Sequence, residues 1–163
     1  MRYFLDTEYN GHGGELISLA LVPEHGDQEF YAILPLPRAI EPWVQRHVLP
    51  YLRMAPIGID EVGPLELARA LECYLRGDDE PWIVADWPDD IAHFCSALTT
   101  GPGEMVDLAR VGFSLLRVAG FSASANSAVP HNALHDARAL RDFVLGGEEA
   151  GRSAREAGAG RPY

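Results

Sequence analysis

Two acidic residues, Asp6 and Glu8, close a run that opens with Tyr3-Phe4-Leu5. Alternate side chains of a strand share a face, so both carboxylates project the same way from the end of an apolar, centrally buried strand. Carboxylates held that close repel each other, and a divalent cation between them is the usual remedy. Near the other end of the chain, His131-Asn132-Ala133-Leu134-His135-Asp136-Ala137-Arg138 sets a histidine and an aspartate about 1.4 helical turns apart. Both can lean toward one site from the start of a helix, an acid–base imidazole beside a metal carboxylate. Midway, Asp86-Trp87-Pro88-Asp89-Asp90 offers three more carboxylates at a strand-to-helix turn. Each feature alone is common as ordinary solvated surface or helix capping. Their joint order is much rarer than the parts.

Positioning these groups requires strands and helices in a set order. Asn10-Gly11-His12-Gly13-Gly14 reads as a turn, because its glycines supply the backbone angles a hairpin needs. Glu15 to Val22 and Glu29 to Leu34 follow as strands around Gly26-Asp27, completing a three-stranded meander. Trp43, Val44, His47, Val48 and Tyr51 recur at helical spacing between Pro42 and Leu52. Trp43 is read there as core packing and His47 as structural. Leu65, Leu67, Leu71, Tyr74 and Leu75 mark a second amphipathic helix ending at Gly77. Pro81 to Ala85 is a short apolar strand, and the helix after it presents Ile91, Phe94, Cys95 and Leu98 to the core. Thr99 to Gly103 is expected as a loop, and Met105 to Leu108 as a short strand leading into a helix through Leu115-Leu116-Arg117. Phe121 to Pro130, rich in Ser and Ala, reads as a flexible approach to the last motif. A helix over 131–145 turns Leu134, Ala137, Leu140 and Val144 inward. Residues 146–163 lack apolar periodicity and read as a flexible C-terminal tail.

A chain of 163 residues suffices for one sound core and is too short for two ordinary domains, so residues 1–145 are expected to form one domain. Hydrophobic residues at 47% and charged residues at 23% fit an ordinary globule and exclude a disordered or fibrous chain. No apolar run reaches the ~18 residues of a membrane span, and Met1-Arg2 before an acidic strand does not read as a signal peptide. The expected location is cytoplasmic, with no membrane partner. Cys73 and Cys95 lack zinc-ligand spacing and are read as buried free thiols. A net charge of −11 argues against tight, non-specific duplex binding. It leaves room for an acidic site that meets a few nucleotides through cations. Arg38, Arg46, Arg53, Arg110, Arg117, Arg138 and Arg141 are the side chains available for a local basic track.

Phe4-Leu5-Asp6-Thr7-Glu8, Asp90 and the His131 to Ala137 segment resemble the three motifs of the DEDDh 3′–5′ exonucleases of the ribonuclease H-like superfamily, over residues 1–145. Gly14-Glu15-Leu16-Ile17-Ser18 and Trp43-Val44-Gln45-Arg46-His47-Val48-Leu49-Pro50 resemble, more narrowly, the small exoribonucleases typified by the mycobacterial polyadenylate-specific enzyme. The resemblance implies a ribonuclease H-like α/β fold, its central mixed sheet built from an antiparallel meander and then parallel strands, flanked by helices. It implies a middle metal carboxylate at a helix head with apolar residues at the next and fourth positions. Asp90 fits, with Ile91 and Phe94 behind it; Asp86 and Asp89 stay as alternatives. The asparagine or histidine often found just before this motif in relatives is missing here.

The resemblance also implies a chemistry. Asp6, Glu8, Asp90 and Asp136 would hold two divalent cations, Mg2+ or Mn2+, with Asp6 shared between them, and His131 would act as the base. The expected reaction releases nucleoside 5′-monophosphates from the 3′ end of single-stranded RNA, with adenylate tracts as the implied preference and a homodimer as the implied assembly. The alternatives are a DNA or oligonucleotide exonuclease of the same fold, a phosphohydrolase of free nucleotides, and a non-catalytic nucleic-acid-binding module. The complete set of acids and histidine counts against the last.

Overall fold

A computed structural model describes residues 1–26 and 28–159. Strands β1 (Arg2–Tyr9), β2 (Leu16–Pro23) and β3 (Phe30–Ile33) form the antiparallel meander. Helices α1 (Pro42–His47) and α2 (Pro64–Leu75) follow, then β4 (Trp82–Ala85) and α3 (Pro88–Ala97). A small hairpin of β5 (Thr99–Gly101) and β6 (Glu104–Met105) precedes β7 (Gly112–Leu115), α4 (Ala123–Asn126) and α5 (Ala133–Ala159). The five-stranded sheet has the order β3-β2-β1-β4-β7. Because β4 runs parallel to β1 and β7 parallel to β4, the sheet is mixed and the architecture is α/β, as the sequence leads one to expect.

β1 is the middle strand, which accounts for its continuous apolar run: both of its faces are covered. Tyr3 and Leu5 join Leu19, Leu21 and Ile83 beneath α2 and α3, where Leu67, Leu71, Leu75 and Phe94 close one half of the core. On the opposite face Ile17, Ala20 and Val22 meet Val44 of α1 and Leu134 and Ala137 of α5. Phe4 packs there with Val84, Leu140 and Val144. The same alternation carries on past the apolar residues. Asp6 and Glu8 extend the Phe4 row toward α5, while Thr7 extends the Leu5 row toward α3.

Several expectations are corrected. α1 stops at His47 rather than running to Leu52, since a residue preceding proline, here Leu49 before Pro50, is steered away from helical angles. Its buried stripe is Val44 and Val48, continued by Leu52, while Trp43 is 50% exposed. Cys73 and Cys95 are exposed, not buried. The expected helix through Leu115 is strand β7, and Thr99 to Gly103 forms a hairpin rather than a loop. β7 is fitted to its neighbour at Gly112, where an added Cβ would lie 2.1 Å from Cε3 of the Trp82 indole. Within the stretch expected to be a flexible approach, Ala123–Asn126 makes one helical turn. The expected tail is helical as far as Ala159, and Glu148 within it accepts bonds from the Arg2 guanidinium at 2.6 and 2.8 Å. The rest of that stretch, residues 160–163, lies outside the described residues. Among the described residues no helix is long and apolar enough to cross a membrane.

Candidate metal centre

The acids converge because β1 and β4 end, and α3 and α5 begin, at one place. Asp6 and Glu8 stand at the C-terminal end of β1. Asp86 follows the end of the adjacent parallel strand β4, and Asp90 stands in the first turn of α3. α5 crosses behind β1 and brings His131 and Asp136 from its own beginning. All six side chains line one cavity of about 460 Å³, and no arginine lines it. Oxygens of Asp6, Asp86 and Asp90 lie within 4.8 Å of one another, and so do donor atoms of Glu8, His131 and Asp136. Asp6 falls with Asp90, one side of the bridge that the resemblance implies for it, while Asp86 joins that group and Glu8 and Asp136 stand with His131 in the other.

The three mid-chain aspartates are sorted by their surroundings. Asp90 is 3% exposed, and its Oδ1 accepts bonds from the Thr7 hydroxyl at 2.6 Å and the Thr7 amide at 3.2 Å. Asp89 lines the same cavity but belongs to neither donor group, and it accepts from the Tyr9 hydroxyl at 3.3 Å with His12 at 3.9 Å. Asp86 faces Asp6 and Asp90, a placement that reading it as a capping residue misses. Its sequence signal is the parallel β4, which puts the residue after its end beside the end of β1.

Electrostatically the site lacks positive charge. Burial, then repulsion from Asp90, Asp136, Glu8 and Asp86, holds the Asp6 carboxyl well above the ordinary carboxylate range. Burial and the facing Asp136 and Asp90 push Glu8 up to about 8. Burial raises Asp90 to about 7 against the opposing Thr7 bond, and Asp136 to about 6. Asp136 Oδ2 accepts the His131 amide at 3.0 Å, but its Oδ1 is buried without a partner. A buried carboxylate oxygen without a donor is costly unless a cation meets it. The clustered carboxylates and the orphaned oxygen therefore fit divalent cations, and oxygen donors suit Mg2+ or Mn2+.

His131 is held in the left-handed region, at φ 65°, a conformation costly for a non-glycine residue. The bond from its amide to Asp136 and the fully buried Asn132 next to it keep it there. Asn132 caps α5 by accepting the His135 amide at 3.3 Å. Its side-chain amide donates to the carbonyls of Tyr51 and Leu52 at 2.8 and 3.2 Å, tying α5 to the chain that follows α1. At the other end of α1, Asn10 donates to the Ala39 carbonyl at 2.8 Å and accepts the Glu41 amide at 2.9 Å. Between these two ties α1 sets Trp43 edge-on to His131 at 5.0 Å, with His47 stacked on Trp43 at 4.9 Å. Burial and the nearby His47 hold the His131 imidazole below its usual pKa, which favours a neutral ring.

Trp43 and His47 are expected from the sequence to be structural, yet Trp43 lines the cavity. Their spacing holds the signal: Val44 and Val48 form the buried stripe, and Trp43 and His47 form the stripe beside it. The basic track is largely spent, because Arg53, Arg110, Arg138 and Arg141 each pair with a carboxylate. A second cavity of about 420 Å³, lined by Leu16, Leu34, Leu67, His93 and Ala97 among others, lies apart from these acids. No family model matches this chain, and no curated protein matches it.

Proposed function

We propose that this protein is a metal-dependent 3′–5′ exoribonuclease of the DEDDh, ribonuclease H-like type, releasing nucleoside 5′-monophosphates from the 3′ end of single-stranded RNA. One observation carries the reading: acids from β1, α3 and α5 meet His131 in a single cavity with no cationic side chain to balance them. Asp6, Glu8, Asp90 and Asp136 are the residues to hold two divalent cations. Such ions, when bound, lower the pKa of water and offset charge on the attacking and leaving oxygens. His131, neutral because it is partly buried, takes the proton from the attacking water at a ring nitrogen. The amide bond to Asp136 and the Asn132 cap fix where that ring stands. Trp43 offers an exposed indole face, on which an unpaired base stacks whatever its identity. Preference for RNA, and for adenylate within it, follows from the narrower sequence resemblance.

The test is digestion of 5′-labelled RNA and DNA oligonucleotides of one sequence, with Mg2+ or Mn2+ and with EDTA as control. The expected result is a ladder shortening from the 3′ end, faster on RNA, absent with EDTA and absent for Asp6→Asn. A faster DNA ladder moves the substrate to DNA within the same mechanism. Intact oligonucleotides with both metals overturn the enzyme reading, and retained binding would then mark a non-catalytic module.

A further inference from the structure

We infer that Asp86 is a direct ligand of the cation held by Asp6 and Asp90, so that this half of the centre is built from three carboxylates. The inference deepens the two-cation reading and rests on it. Asp86 departs from the acid quartet on which the resemblance rests, and it is placed here by geometry: its oxygen lies within 4.8 Å of those of Asp6 and Asp90, a span one ion can bridge.

Three observations set it apart from a surface acid. First, the Asp86 carboxylate forms no ion pair among the described residues; Arg117 is near enough for its charge to act on Asp86 but makes no contact within 4.0 Å. Second, Asp90 is not free to turn away from the shared space, because Thr7 holds its Oδ1 through two bonds and leaves Oδ2 for the site. Third, the same cavity receives Asp136, 3% exposed, whose buried Oδ1 makes no hydrogen bond. That buried, unpartnered oxygen is independent of Asp86, and it marks the cavity as one that awaits a cation. Placing Asp86 at the end of β4 adds a fifth carboxylate to the four already counted. Two divalent ions do not neutralise five negative charges, so the centre retains strong attraction for hard cations.

The probe is Mn2+ itself, titrated by calorimetry into metal-stripped wild type, Asp86→Asn and Asp89→Asn. Wild type is expected to take two ions. Asp86→Asn should weaken one of them by at least about tenfold and leave the other unchanged, while Asp89→Asn leaves both unchanged. A second readout separates a ligand from a structural acid. Without metal, Asp86→Asn should melt no lower than wild type, since it removes a like charge from a crowded cluster, and its gain in melting temperature on adding Mn2+ should be smaller. Equal Mn2+ binding by wild type and Asp86→Asn overturns the assignment and leaves the two-cation reading standing. An Asp86→Asn variant that melts lower without metal, or does not fold, also overturns it. Failure of wild type to bind Mn2+ at all overturns both.

Discussion

Among single residues Trp43 has the most consequence, because one indole touches both the histidine and the open cavity. If it serves as a base platform, Trp43→Ala should raise KM for a single-stranded oligonucleotide. The loss is about 1–3 kcal/mol of stacking, roughly 5- to 150-fold, with kcat altered only a few-fold. Trp43→Phe should recover part of it. A fall in kcat at constant KM would instead make Trp43 a positioning residue that acts through His131. At this scale Asp6, Glu8, His131 and Asp136 were legible in the sequence, because strand alternation and helical spacing fix relative direction over a few residues. Asp86 was legible only as an alternative to Asp90, and Trp43 only as core packing. Their roles depend on which segment packs beside them, and neither residue's neighbours in sequence record that.

Among the elements, the head of α5 packs Leu134 and Ala137 on Val44 of α1, and one side chain, Asn132, ties it to the chain that follows α1. Asn132→Ala removes a helix cap and leaves the Tyr51 and Leu52 carbonyls without their buried donor. The combined cost is about 2–4 kcal/mol, from about 1 for the cap and about 1–3 for the unmet carbonyls. Chemical denaturation should show that loss in the midpoint with little change in slope. Activity at a temperature where the variant stays folded should also fall, because His131 loses its support. Unchanged stability would mean that the carbonyls find water instead. Elements with one strong period, such as β1 and the buried stripe of α5, were legible. β7 was not, since Gly112-Phe113-Ser114-Leu115 is a short edge strand whose register depends on the Trp82 ring across from it. The far half of α5 was also hidden. Few of its residues are apolar enough to mark a face, and the Arg2 to Glu148 pair that ties it down joins opposite ends of the chain.

For the whole molecule the governing quantity is charge, −11 in total, with arginine and no lysine among its permanent cations. In the absence of metal, the folded protein keeps protons on Asp6, Glu8, Asp90 and Asp136 that the unfolded chain releases near pH 4. Their contribution to stability is therefore full below about pH 4 and is lost as pH rises through about 6 for Asp136, 7 for Asp90 and 8 for Glu8. The salt-bridged acids Glu24 and Glu148, whose pKa values are lowered, act the other way, and only as pH falls below the ordinary carboxylate range. Metal-stripped protein should thus melt lower at pH 8 than at pH 5, and added Mn2+ should raise the melting point more at pH 8, where ions displace fewer protons. Equal gains at both pH values would contradict a cation site made of these acids. Under the proposed exoribonuclease function, the same charge distribution governs how a nucleic acid is met. Of the arginines expected to form a track, only Arg38, Arg46 and Arg117 are without a carboxylate partner among the described residues. Three phosphate contacts on a single strand correspond to a slope of about −2 in log K against log salt. Binding of single-stranded RNA to Asp6→Asn between about 50 and 200 mM KCl should therefore weaken only modestly, with affinity resting on stacking. A slope steeper than about −4 would require more cations than these three arginines, and would point to arginines supplied by a second copy across the site.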